Sequence, residues 1–177
     1  AMKNIQPEKG LKITLFADEK MFPELAKPVQ MAWDTRGRLW ISAWRNYPER
    51  TPTSTKGDSL LVFEDTNGDG TADKMTEFAD NLNCPTGFNF YKDGVIVMQS
   101  PNLVYLEDTD GDGKSDKRTI LLMGLCAADS HHETNALNYD CGGALDPSDG
   151  GCHSTQVETP YGPVRNTNGC IYRFAYG

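Results

Sequence analysis

Apolar residues along this chain fall in short runs broken by Gly, Pro, Asn and Asp, and several runs alternate apolar with polar side chains. Alternation with a period of two is what a half-buried strand requires, because successive strand side chains point to opposite faces. Residues 11–17 (LKITLFA) show it and predict a strand. VQMAWD, RLWISAW, SLLVFED and KMTEFAD then predict four more, separated by a turn at Thr35-Arg36-Gly37, a longer loop with Pro48 and Pro52, and an acidic turn. The following stretch repeats that plan as GFNFYKDG, VIVMQS, NLVYLED and KRTILLMG, with turns at Lys92-Asp93-Gly94 and Ser100-Pro101-Asn102.

The two stretches share a near-identical segment, LLVFEDTNGDGTADK at 60–74 and LVYLEDTDGDGKSDK at 103–117, so Asp65 and Asp108 stand 43 residues apart. Blades of β-propellers repeat about every 40 to 50 residues and carry four strands each, which matches both the spacing and the strand count. The expected fold is therefore all-β: four-stranded antiparallel blades in an incomplete propeller of about three blades. A leading strand and turn occupy 11–28, a blade with the first acidic turn 29–80, a second blade with its acidic turn 81–125, and a degenerate third blade 126–177. In that third unit ETNALNYD and GCIYRFAYG read as strands, whereas Pro147 and the glycines of CGGALDPSDGG weaken the strand prediction between them. Propellers close with about four or more blades. Either copies of the chain assemble as a homo-oligomer, or the chain is part of a protein that supplies the missing blades.

Composition narrows the function classes. A net charge of −8 over 177 residues, without a dense Lys/Arg run, excludes nucleic acid as the expected partner. No stretch approaches the roughly 18 apolar residues of a membrane span. Ala1-Met2-Lys3-Asn4 lacks a signal-peptide apolar run and Ala1-Met2 reads as a cloning remnant, so the N-terminus does not decide localisation. Five cysteines, Cys84, Cys126, Cys141, Cys152 and Cys170, form no CxxCH motif, so no c-type haem is expected. Cys141 and Cys152 are close enough in sequence to be bridged, though spacing leaves the pairing open.

Seven of the acidic residues belong to the two repeated turns, and two divalent cations there would bring −8 to −4. Asp65, Asn67, Asp69, Gly70 and Asp73 take positions 1, 3, 5, 6 and 9 of a D-x-[DN]-x-[DN]-G loop, as do Asp108, Asp110, Asp112, Gly113 and Asp116. Alternate oxygens converge on one hard cation, Gly permits the sharp bend, and the carbonyls of Thr71 and Lys114 stand where a backbone ligand belongs. An EF-hand would also need flanking helices and Glu at position 12, where Thr76 and Thr119 stand instead. Two structural Ca2+ sites are expected, with a solvated Asp/Gly turn as the plainer reading.

His131 and His132 open a blade, where a histidine serves as a base or a ligand, or simply ties down a loop. His153, Thr155, Gln156 and Glu158 would join them as a polar floor. Trp33, Trp40, Trp44, Phe88, Phe90 and Tyr105 alternate within strands, which favours packing between blades over sugar stacking. Tyr47 and Arg50, on a loop, suit a ligand rim.

FPELAKPVQMAWDTRGRLWISAW, the two EDTxGDGxxDK turns, NLNCPTGFNFYKDGVIVMQSPNLVYLEDTDGDG, DSHHETNAL and HSTQVETPYGPVRNTNGCIYRF together cover nearly the whole chain. They resemble the N-terminal propeller of the membrane-bound dehydrogenase family of planctomycetes and related bacteria, which is similar to soluble quinoprotein glucose and sorbosone dehydrogenases. The resemblance implies a periplasmic or secreted calcium-containing propeller, a sugar or alcohol substrate and pyrroloquinoline quinone as cofactor. It also implies His132 as the general base, with Asn135 and Ala136 where that family's string has Gly and Arg. The expected function is thus dehydrogenase-like, with a non-catalytic calcium-stabilised binding or scaffold module, or an inactive fragment, as the alternative.

Overall fold

The computed structural model describes residues 5–48, 51, 53–151 and 154–175, and every regular element among them is a β-strand. Arg50, Pro52, Cys152 and His153 lie outside the described residues. The first repeat folds as β1 (Pro28–Trp33), β2 (Leu39–Ala43), β3 (Asp58–Glu64) and β4 (Lys74–Leu82). The second folds as β5 (Pro85–Tyr91), β6 (Gly94–Gln99), β7 (Asn102–Glu107) and β8 (Lys117–Met123). Each set forms one antiparallel sheet in simple meander order. Tight turns at β1–β2, β5–β6 and β6–β7 favour that order, since a strand followed by a tight turn pairs with its sequence neighbour. At the β1–β2 turn, Asp34 Oδ1 accepts the amides of Arg36 and Arg38, each at 2.9 Å, while Oδ2 takes the Trp40 indole N–H at 2.9 Å.

The central strands are buried on both faces, and alternate side chains separate into different cores. Leu60 and Val62 of β3 pack with Val95 and Val97 of β6 between the two four-stranded sheets, around Trp40, Phe78 and Phe88. Leu61 and Phe63 point the other way, onto Leu25, Phe16 and Phe22 of the N-terminal segment. Ile96 and Met98 of β6 likewise face Leu137, Leu145 and Val157 of the last third of the chain. Each fully buried Leu or Phe contributes about 1.5–3 kcal/mol by leaving water. The sheets thus stack face to face in chain order. Their first strands also touch in succession, β1 against β5 and β5 against β9 (Asn135–Tyr139).

The remaining strands are β10 (Leu145–Asp149), β11 (Ser154–Val157), β12 (Val164–Thr167) and β13 (Cys170–Ile171). They make a three-stranded sheet in the order β13-β10-β9 and a separate β11–β12 hairpin. β10 is the middle strand of its sheet despite Pro147. The register with β9 shifts between Asp146 and Ser148, and the Pro147 carbonyl still accepts the Tyr172 amide at 3.0 Å, so the missing N–H falls at an irregularity. The hairpin arises within HSTQVETP and the residues after it, where the sequence reading placed a polar floor. Residues 11–17 pair with no strand among the described residues. The four sheets form no closed ring. No disulfide joins Cys84, Cys126, Cys141 and Cys170 to one another.

Candidate functional site

The acidic turns join β3 to β4 and β7 to β8, and they are built alike atom by atom. Asp65 accepts the amides of Gly68 (2.7 Å) and Gly70 (2.8 Å), and Asp108 accepts those of Gly111 (2.7 Å) and Gly113 (2.9 Å). Gly70 and Gly113 sit at φ values of 90° and 88°, in the left-handed region where a β-carbon is disfavoured. Asn67 and Asp110 accept the amides of Asp69 and Asp112, which in turn accept those of Thr71 and Lys114. At position 9, Asp73 takes the Thr66 amide and hydroxyl, and Asp116 those of Thr109. Identical ion pairs close the base of each hairpin, Lys74 to Glu64 and Lys117 to Glu107, both at 2.7 Å.

Hydrogen bonds favour the ionised form of one carboxylate in each turn. The Gly70 amide depresses the Asp65 carboxyl below its usual range, and the Thr109 hydroxyl does the same for Asp116. In the second turn, one oxygen each from Asp108, Asp110 and Asp112 lie within 4.8 Å of one another. This is an all-oxygen, hard and multiply charged donor set, which fits Ca2+ and suits neither a thiolate- nor an imidazole-seeking metal. Asp116 is not in that close set and is turned toward Thr109. In the first turn Asn67 stands where Asp110 stands in the second, leaving one charge fewer.

Each turn also docks onto the backbone of the chain segment packed before it. The Ser115 amide donates to the Phe78 carbonyl of β4 at 2.6 Å, and the equivalent Ala72 amide donates to the Phe16 carbonyl at 2.8 Å.

A second site lies where the first strands of successive sheets meet. A cleft of about 440 Å³ is bounded by β1, the loop after β2, the start of β5 and the loop entering β9. Trp44 and Tyr47 stack at 5.7 Å along one wall, and Trp44 is fixed by its indole N–H on the Pro85 carbonyl at 3.0 Å. Tyr47 Oη lies 2.9 Å from His131 Nε2, and His131 Nδ1 lies 3.0 Å from Asp129 Oδ1, giving a Tyr47–His131–Asp129 chain at the cleft mouth. The loop that carries it is held from below. Thr86 donates to the Thr134 carbonyl, Thr134 donates to Asp149 at 2.7 Å, and the His132 carbonyl comes so close to Gly150 that a β-carbon there would stand 1.8 Å from it.

His132, the histidine singled out by resemblance, does not line the cleft. Its Nε2 lies 3.9 Å from Asp129 Oδ2, outside hydrogen-bond range, whereas His131 faces the cavity. Thr155, Gln156 and Glu158 belong to the β11–β12 region, away from the lining, and Thr155 accepts the Cys126 amide instead. The residue that sequence reasoning missed is Glu133. It is 3% exposed and its Oε2 meets no hydrogen-bond donor at normal range, while the buried Ser100 hydroxyl beside it offsets only part of the cost of burial. Burial, with Asp58 and Asp129 adding to it, raises its carboxyl to about 8, so at neutral pH it is mostly a neutral acid. Nothing in the local string HHET marks that position as buried.

The lining also tests the cofactor that the resemblance implies. Pyrroloquinoline quinone is a tricarboxylate, and among the described residues no Lys or Arg lines the cleft, whose one buried ionisable group is itself acidic. The described residues do not fit it.

A family model described as a domain of unknown function, DUF7133, matches residues 1–177. No curated protein matches the chain.

Proposed function

Because the chain belongs to the DUF7133 family, whose description assigns no activity, we propose its role from its own geometry: a calcium-braced β-propeller segment whose inner cleft binds a small hydroxylated molecule such as a sugar or alcohol. The observation that carries this is the repeated acidic turn, with its converging Asp108, Asp110 and Asp112 oxygens and its docking onto the preceding layer. Two meander sheets, face-to-face stacking in chain order and first strands in mutual contact all support the propeller reading. Asp65, Asn67, Asp69 and Asp73 would hold one ion, and Asp108, Asp110, Asp112 and Asp116 the other. A bound cation cancels the repulsion between carboxylates that the backbone gathers in one turn, so its binding energy becomes folding energy. The cleft suits an uncharged polar ligand because it combines an aromatic wall with hydroxyl and amide groups, and among the described residues no Lys or Arg lines it.

Calorimetric titration with Ca2+ will show two sites per chain, and Asp108→Asn with Asp112→Asn will remove one while leaving the other. Failure to bind calcium at millimolar concentration would remove the basis of this reading.

A dehydrogenase-like second reading is favoured by one specific feature, the Tyr47–His131–Asp129 chain. Asp129 orients the His131 ring and Tyr47 lies on its other nitrogen, an arrangement able to accept a proton from a substrate hydroxyl through His131. On this reading His131, rather than His132, is the base. Dye reduction with a sugar panel, in calcium with a soluble two-electron acceptor, tests it: activity lost in His131→Ala and kept in His132→Ala supports it, and the reverse pattern or no activity counts against it.

A further inference from the structure

Most polar side chains that line the cleft are already engaged within the protein. Gln30 gives its Nε2 to the Phe88 carbonyl at 3.2 Å and takes the Phe88 amide on its Oε1. The Thr86 hydroxyl donates to the Thr134 carbonyl, and Tyr47 and His131 engage each other. Asn135 donates to the Glu133 carbonyl at 3.3 Å and accepts the Ser148 hydroxyl at 3.0 Å. A ligand that drew on these groups would have to displace bonds already made. Glu133 differs. It lines the same cleft, it is 3% exposed, and among the described residues its Oε2 meets no donor at normal range. A ligand that supplies the missing partner relieves the cost of leaving a buried polar group unsatisfied.

The surroundings decide which partner fits. Asp58, at the start of β3, and Asp129, on the same loop as Glu133, both oppose a negative charge there, and the Ser100 hydroxyl in the β6–β7 turn offsets only part of the burial. Outside the lining, Lys27 rests on the Tyr47 carbonyl and ring, and Arg45 binds the Gly57 carbonyl and Glu77. The carboxyl therefore keeps its proton up to about pH 8 and has an O–H to give. An anionic ligand would meet the like charges of Asp58 and Asp129, and an ammonium has no lone pair to accept that hydrogen. A neutral oxygen does.

We propose that Glu133 is the residue by which the cleft recognises its ligand, donating its carboxyl hydrogen to a hydroxyl or ring oxygen of an uncharged sugar or polyol. This rests on the reading of the cleft as a site for a small hydroxylated molecule. The stacked Trp44 and Tyr47 rings offer an apolar wall for the ligand's carbon skeleton. An ionised Glu133 has no hydrogen to give, and it would stand as a further negative charge in a site that the ligand makes drier. Binding therefore weakens as that proton leaves.

Titrations with glucose, galactose, mannose and myo-inositol, in calcium at pH 7 and pH 9, test this. The best binder among them is expected to bind the wild type about tenfold more weakly at pH 9 than at pH 7, the factor by which the protonated fraction of a group at about 8 falls. Glu133→Gln keeps an N–H donor at every pH, so its affinity should stay within about threefold of the wild-type value at pH 7 and should not change at pH 9. Glu133→Leu should lose about tenfold already at pH 7. Wild-type binding that is unchanged or tighter at pH 9, a pH dependence that persists in Glu133→Gln, or full affinity in Glu133→Leu overturns recognition by Glu133 and leaves the cleft reading standing. If the wild type binds none of the four probes at either pH, the cleft reading falls and this proposal falls with it.

Discussion

Chelating calcium will lower the unfolding midpoint of this protein by about 10 °C or more, relative to the same protein with calcium at a hundredfold excess over its dissociation constant. An ion that binds only the folded state at that excess stabilises by about 2.7 kcal/mol per site, and two sites by about 5 kcal/mol. Each kcal/mol moves the midpoint of a domain this size by about 2–4 °C. The effect should be uneven between the turns. The second gathers Asp108, Asp110, Asp112 and Asp116, while the first has Asn67 in place of one carboxylate. Without an ion, the second therefore suffers more self-repulsion, and with an ion it gains more. Asp110→Asn makes the second turn a copy of the first in ligand type, so it should cost less calcium stabilisation than Asp108→Asn. Asp108 also takes the Gly111 and Gly113 amides, so its loss dismantles the loop itself. Melting curves followed by circular dichroism, with calcium and with chelator, will show this. Coincident curves would mean that the turns fold as simple Asx turns and hold no ion.

Most of the strand framework was legible because local and global signals agree in the first two repeats. Leu60–Phe63 and Val95–Met98 are continuous apolar runs, and the structure gives the reason: each strand is covered on both faces, so odd and even positions both pack. The 43-residue period placed the acidic turns at equivalent hairpins for the same reason. Legibility fails where tertiary contacts override local propensity. Pro147 argues against a central strand, yet β10 is one, because an irregularity in its pairing with β9 absorbs the missing donor. LKITLFA has a strand pattern but no ladder among the described residues. The cleft was least legible. Tyr47 and His131 are 84 residues apart and meet only through the stacking of successive sheets. His131 and His132 cannot be told apart by string, and only the loop geometry shows which ring faces the cavity.

Replacing Glu133 with Gln should stabilise the protein in alkaline solution and leave it nearly unchanged in acid. Glu133 is 3% exposed, the like charges of Asp58 and Asp129 act on it, and among the described residues no Lys or Arg lines its cleft. Asp58 is already committed to the amides of Asn46 and Cys84, so it gives Glu133 no relief. Burial is the leading cause that lifts the carboxyl from 4.5 to about 8. The folded state therefore keeps a proton that the unfolded chain releases. The stability associated with that proton is complete below about pH 4.5, falls as pH rises toward 8, and is lost above it. The full span is about 3 kcal/mol after allowing for partial screening by solvent. Gln keeps the shape, carries no charge at any pH, and offers N–H donors to the Ser100 hydroxyl. In saturating calcium at pH 8.5, Glu133→Gln should melt about 6–12 °C above the wild type, and at pH 5 within a few degrees of it. Parallel pH profiles for the two proteins would show that Glu133 is ionised in the fold, and that the cleft floor is wetter than its burial implies.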